Sequence, residues 1–118
     1  MTLVTGSKVI RMTTANKPID TLLTNEGFMS NPERWNEQVA TAIARLDGLP
    51  HLTHDHWVII QALRVHFKRF GPALPAFSHV CLANHMDKHC VDKLFHSQRE
   101  AWRVAGLPDP GEEARAYM

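Results

Sequence analysis

Cys81, His85 and His89 recur every fourth residue, so a continuous helix would carry all of them along one face. Thiolate and imidazole both ligate zinc, and a pair at i, i+4 can chelate one ion. A straight helix holds i and i+8 about 12 Å apart, so it offers one ion at most Cys81–His85 or His85–His89. A partner such as His54, His56 or His96 would have to complete the set, with His79 and Cys90 also nearby in sequence. No Cys-x-x-Cys knuckle supports such a site. The expectation is no resident metal and no cofactor, with Cys81 a small core hydrophobe and the histidines on a solvated edge.

His51, His54 and His56 cluster just ahead of Trp57, without the nucleophile and acid that a hydrolase triad needs. The glycines are scattered, so there is no phosphate-cradling loop. A stand-alone enzyme is not expected. The chain has 118 residues, 44% hydrophobic and 21% charged, with a formal net charge of +1, which fits one packed domain. Near-neutral charge excludes the global attraction of a strongly basic nucleic-acid binder, though not a local basic face. No apolar run is long enough to span a bilayer and the N-terminus does not read as a signal peptide, so a cytoplasmic location is expected. The two cysteines do not read as a disulfide framework.

Positioning these residues falls mainly to helices. Asn31 caps a predicted helix with Pro32 at its first position, and Trp35, Val39, Ala42, Ile43 and Leu46 form its apolar stripe as far as Gly48. Thr53 caps a second, with Trp57, Ile60, Leu63, Phe67 and Phe70 inward and Gly71-Pro72 as the stop. A third is predicted from Pro75 or Ser78 to His89. Ser97-Gln98-Arg99-Glu100 reads as a capping box opening a last helix over Gln98–Ala105. Trp35, Trp57 and Trp102 read as anchors of helix contacts. Lys8–Met12 and Ile19–Leu23 are candidate strands of a hairpin, and the residues from Pro110 to Met118 have no periodicity and read as a mobile tail.

Asn25-Glu26-Gly27-Phe28-Met29, then Trp35, then Leu52-Thr53-His54-Asp55-His56-Trp57, and finally Ala105-Gly106-Leu107-Pro108-Asp109-Pro110 form a distinctive series. In this order it resembles the DsrC/TusE family of sulfur-relay proteins, with its (D/E)xxGΦL turn, LTxxHW helix start and AGLPKP close. Thr24 stands where that turn carries an acid. The resemblance runs from about Leu23 to Gly111. It implies an α+β, mostly helical fold: an N-terminal β-hairpin (residues 1–24) packed on an orthogonal bundle of four or five helices with a helix-turn-helix-like pair (30–106), and a flexible C-terminal arm (107–118). It also implies a small cytoplasmic carrier that takes sulfane sulfur on an arm cysteine and passes it to protein partners in tRNA thiolation or sulfite reduction.

The carrier chemistry needs a thiol. Counted forward from Pro108 without gaps, the family's carrier position is Glu113; counted back from the C-terminus, it is Tyr117. The second family cysteine falls on Trp102. The family's Pro-Ala-Ile-Arg helix start is here Pro75-Ala76-Phe77-Ser78, without the arginine. The expected function is therefore a non-catalytic binding or regulatory member that docks on sulfur-transfer or sulfur-oxidation proteins. One alternative is a DNA-binding regulator using the helix pair on either side of Gly71–Leu74, with Arg64, Lys68, Arg69 and Lys88 near phosphates. The other is a sulfur carrier that uses Cys90 or Cys81.

Overall fold

The computed structural model describes Ile19 and residues 21–118. Thr24 opens a tight turn: Gly27 N–H donates to Thr24 O at 2.9 Å, and Phe28 N–H to Thr24 Oγ1 at 3.2 Å. The hydroxyl thus meets a backbone donor where the family pattern has a carboxylate, and the turn delivers Phe28 and Met29 fully buried into the core. An isolated antiparallel bridge joins Leu23 to Met29.

The predicted hairpin is overturned. Of its second strand, Ile19, Thr21 and Leu22 are helical, and no β-ladder occurs among the described residues. The first, Lys8–Met12, lies outside them. Ile19 is buried while Leu22 and Leu23 pack beside it, the i, i+3, i+4 spacing of one helical face. The described residues form a helical bundle, not an α+β fold.

Asn31 does cap, but it caps only a 3₁₀ turn, Pro32–Arg34, accepting Glu33 N–H at 3.0 Å. Trp35 is extended, at φ −73° and ψ 143°, and the chain restarts at Asn36, whose side chain accepts Val39 N–H at the head of α1, Glu37–Leu46. α1 buries Val39, Ala40, Ile43 and Ala44, a face rotated from the predicted stripe, and leaves Leu46 exposed. Gly48, at φ +83°, closes it in a Schellman turn, with Leu49 N–H reaching back to Ala44 O.

α2, His54–Phe70, is capped by Thr53 as expected. It buries His56, Ile59, Ile60 and Leu63; Trp57 and Phe67 pack at the core's edge, and Phe70 points outward. α3, Phe77–Ala83, is much shorter than predicted, and α4, Cys90–Leu94, follows as a separate helix. α5, Gln98–Val104, buries Glu100, Ala101, Trp102 and Val104 and packs against both α1 and α2. α6, Glu112–Arg115, lies near the C-terminus.

The break after α3 is another Schellman turn: Met86 N–H donates to Cys81 O and His85 N–H to Leu82 O. His85 takes the left-handed position at φ +63°, a place usually given to glycine. Met86 then packs on the core, the apolar contact that accompanies such a turn.

Candidate functional site

The C-terminal arm starts from a fixed base. Trp102 is fully buried, and its Nε1–H donates to Pro108 O at 2.7 Å. Gly106, at φ +75°, turns the chain after α5, and Leu107 is buried. Beyond it, the Arg115 guanidinium binds the Asp109 carboxylate and lies 3.6 Å from Glu26. Arg99 reaches the same Glu26 through its backbone O at 2.8 Å. Arg103 joins in from the next turn of α5, donating to Gly27 O at 2.7 Å and pairing with Asp47. Three arginines thus tie the Glu26–Gly27 turn to α5 and the arm. Met118 packs against the core, while Glu113 and Tyr117 are exposed.

Cys81 and Cys90 are joined in a disulfide with their Cα atoms 5.7 Å apart. Sequence reasoning did not pair them, because two cysteines do not read as a disulfide framework and the predicted third helix ran on to His89. With the helix ending at Ala83, the chain doubles back and α4 returns Cys90 to α3. His85 and His89 no longer share a helix face with Cys81. Among the described residues no group of three or more His, Cys, Asp or Glu is gathered to hold a metal ion.

His56 is structural. Its Nδ1 accepts Thr53 N–H at 2.9 Å, so the other ring nitrogen carries the proton and donates to Leu94 O at 2.6 Å. It thereby completes the cap of α2 and ties it to the end of α4. His51, His54 and His79 are exposed. His96 is held by Glu100, which accepts both its backbone N–H and its Nδ1–H at 2.8 Å. Ser97 Oγ accepts Glu100 N–H, so half of the predicted capping box forms as expected. The carboxylate reaches one residue further back than the motif requires.

Of the cations proposed for DNA, Arg64 faces inward. It donates to Ala105 O at 2.8 Å and Pro32 O at 3.3 Å and lies 4.1 Å over the Trp35 ring, with burial lowering its pKa. Lys68 and Arg69 are exposed at the end of α2, and α3 itself contains no lysine or arginine.

A family model described as DsrC like protein matches residues 15–112. The chain belongs to the DsrC family. This DsrC-family chain is 28% identical over 95 residues to a sulfurtransferase TusE homolog of Haemophilus influenzae, covering 74% of this chain and 86% of that one. It is 27% identical over 94 residues to sulfurtransferase TusE of Escherichia coli, covering 72% and 84%. Among solved structures, the DsrC/gamma subunit of dissimilatory sulfite reductase from Pyrobaculum aerophilum superposes with a TM-score of 0.65 at 34% identity, over 76% of this chain and 83% of that chain. The oxidized DsrC of Archaeoglobus fulgidus gives 0.65 at 31% identity, over 76% and 89%.

The family motifs coincide with contacts that join elements of the fold. The turn at Gly27 receives Arg103, the LTxxHW start is the Thr53–His56 cap, and the AGLP segment turns on Gly106 beneath Trp35. Sequence reasoning missed Arg64, Arg99 and Arg103 as organisers, because a basic residue on a helix reads as solvated unless its partner elements are known. Their one signal was position: each stands on a helix whose neighbouring positions enter the core.

Proposed function

We propose that this protein works in a sulfur relay as a binding or regulatory member, docking on sulfur-transfer proteins without carrying sulfur itself. Trp102 is the observation that supports this reading. At the position matching a family cysteine stands an indole that is fully buried and hydrogen-bonded to Pro108 O, where it organises the base of the arm. The position matching the carrier is Glu113 or Tyr117, a carboxylate or a phenol, and the arm's sulfur atom is the Met118 thioether. None of these can form a persulfide and release it by exchange. In the oxidised protein the chain's two cysteines are joined to each other in the Cys81–Cys90 disulfide.

The test is sulfane-sulfur loading. The protein is incubated with a persulfide-charged sulfurtransferase, then examined by intact and peptide mass spectrometry and by pull-down with the same donor. The expected result is a complex with the donor and no added sulfur on residues 107–118. Glu113→Cys is expected to gain a 32 Da adduct there, about the mass of one sulfur atom. Wild-type protein that accepts labelled sulfur and delivers it to an acceptor would overturn the reading.

A further inference from the structure

The disulfide is asymmetric toward solvent. Cys81 is 0% exposed on the inner side of α3, whereas Cys90 is 4% exposed and lines a surface cavity of about 310 Å³. Asp55, His85, Asp87 and Lys93 share that cavity, and Lys93 and Asp87 form an exposed ion pair at 3.6 Å. The cavity therefore brings Cys90, one half of the disulfide, together with charged side chains at the surface.

Displacement at a disulfide puts the attacking thiolate opposite the leaving sulfur, and the choice of sulfur follows access. An attack on Cys81 would have to come through the core side of α3. An attack on Cys90 has the cavity to approach through. We propose that the Cys81–Cys90 bond is a thiol-exchange site that takes a small soluble thiol at Cys90. The thiolate forms a bond to Cys90 Sγ, the Cys81–Cys90 bond breaks, and Cys81 leaves as a thiolate that picks up a proton from water. A second thiol attacks the attached molecule's sulfur, releasing the small-molecule disulfide and leaving both cysteines reduced.

Opening this bond removes the covalent closure of the Asn84–His89 segment. Non-covalent contacts then hold the segment: among them the Schellman turn at His85, strained at φ +63°, Met86 against the core, and Asp87, whose carboxylate accepts His89 N–H at 2.7 Å and whose carbonyl accepts Cys90 N–H at 2.9 Å. The inference is independent of whether the C-terminal arm carries sulfur, since none of the arm takes part.

The experiment uses the oxidised wild-type protein and reduced glutathione as the probe. The reaction is quenched at intervals with N-ethylmaleimide and mapped by peptide mass spectrometry. The expected early product carries glutathione on Cys90 and maleimide on Cys81, in at least about tenfold excess over the reverse pattern. Single-cysteine variants give a second readout with glutathione disulfide. In Cys81→Ser the remaining Cys90 is modified readily, and in Cys90→Ser the remaining Cys81 stays protected until denaturant is added. Should a variant fail to fold, the wild-type mapping decides alone. Glutathione found first on Cys81, an equal split between the two, or a disulfide left intact by excess glutathione overturns the proposal.

Discussion

Trp35 lies against Gly106 so closely that a Cβ on the glycine would sit 2.0 Å from the indole Cδ1. The same indole donates from Nε1 to Val104 O at 2.9 Å, and Arg64 stacks on its ring while binding Ala105 O. The last carbonyls of α5 would otherwise lack partners, and here two side chains from other elements satisfy them. A cation at this negative end of the helix adds favourable electrostatics. Gly106→Ala is expected to cost about 3 kcal/mol or more, from overlap with a rigid ring and a left-handed backbone. Gly48→Ala is the comparison: it shares a positive φ, +83°, but nothing lies within 4 Å of the added carbon. Its cost should be about 1 kcal/mol. Urea unfolding midpoints of the two variants measure the difference, and equal losses would remove the close approach as the cause.

His85 occupies a position built for glycine, with its side chain exposed. His85→Gly is therefore expected to stabilise the protein by about 1 kcal/mol, relieving the left-handed penalty without removing a core contact. Thermal denaturation of the oxidised protein checks the sign. A lower melting temperature would mean that the imidazole makes a contribution larger than the backbone strain.

Replacing His56 by alanine should cost about 2 kcal/mol, because Thr53 N–H and Leu94 O both lose their partner at a partly buried site. His54→Ala, two residues earlier and exposed, should stay within about 0.5 kcal/mol of wild type. Equilibrium denaturation of both variants separates the linking role from a general effect of losing histidine.

His96 has its pKa raised, chiefly by the hydrogen bond to Glu100 and then by that carboxylate's charge. A raised histidine pKa means that the folded state holds the proton more tightly than the unfolded chain. The resulting stabilisation is complete below the unfolded histidine value of about 6.5 and is lost as pH rises through the folded value. The stability gap between wild type and His96→Ala should accordingly narrow from pH 6 toward pH 8. An NMR titration of His96 in Glu100→Gln should show its pKa fall, and an unchanged titration would break the link to Glu100.

Arg115 joins the arm to Asp109 and Glu26. Arg115→Ala should lower global stability by no more than about 1 kcal/mol, as partly exposed ion pairs do. Its larger effect should be local, with faster amide exchange and proteolysis over residues 111–118 than in wild type. Raising salt in the wild-type protein should move it in the same direction.

Much of the site's framework was legible because it depends on neighbours in sequence. Thr53, Ser97 and Asn31 each act on a backbone N–H within a turn, so local chemistry sufficed to name them as caps. The family motifs were legible for the same reason, since each marks a turn or a helix start. The failures involve partners distant along the chain. Apolar spacing could not show that Trp35 breaks the first helix, because the reason is its contact with Val104 and Gly106. Nor could it show which way Phe70 faces at the end of α2.

Sequence by itself determined the family, the caps at Thr53 and Ser97 and the identities of the residues on the arm, because covalent order and local hydrogen bonding carry that information. Tertiary structure alone decided that Cys81 meets Cys90, that Arg64 turns inward, and that Ile19, Thr21 and Leu22 are helical. Each of these outcomes turns on competition among elements for the same core surface. A left-handed His85 ends one helix early, and that single backbone choice changes a predicted row of metal-binding side chains into a bridged pair of cysteines.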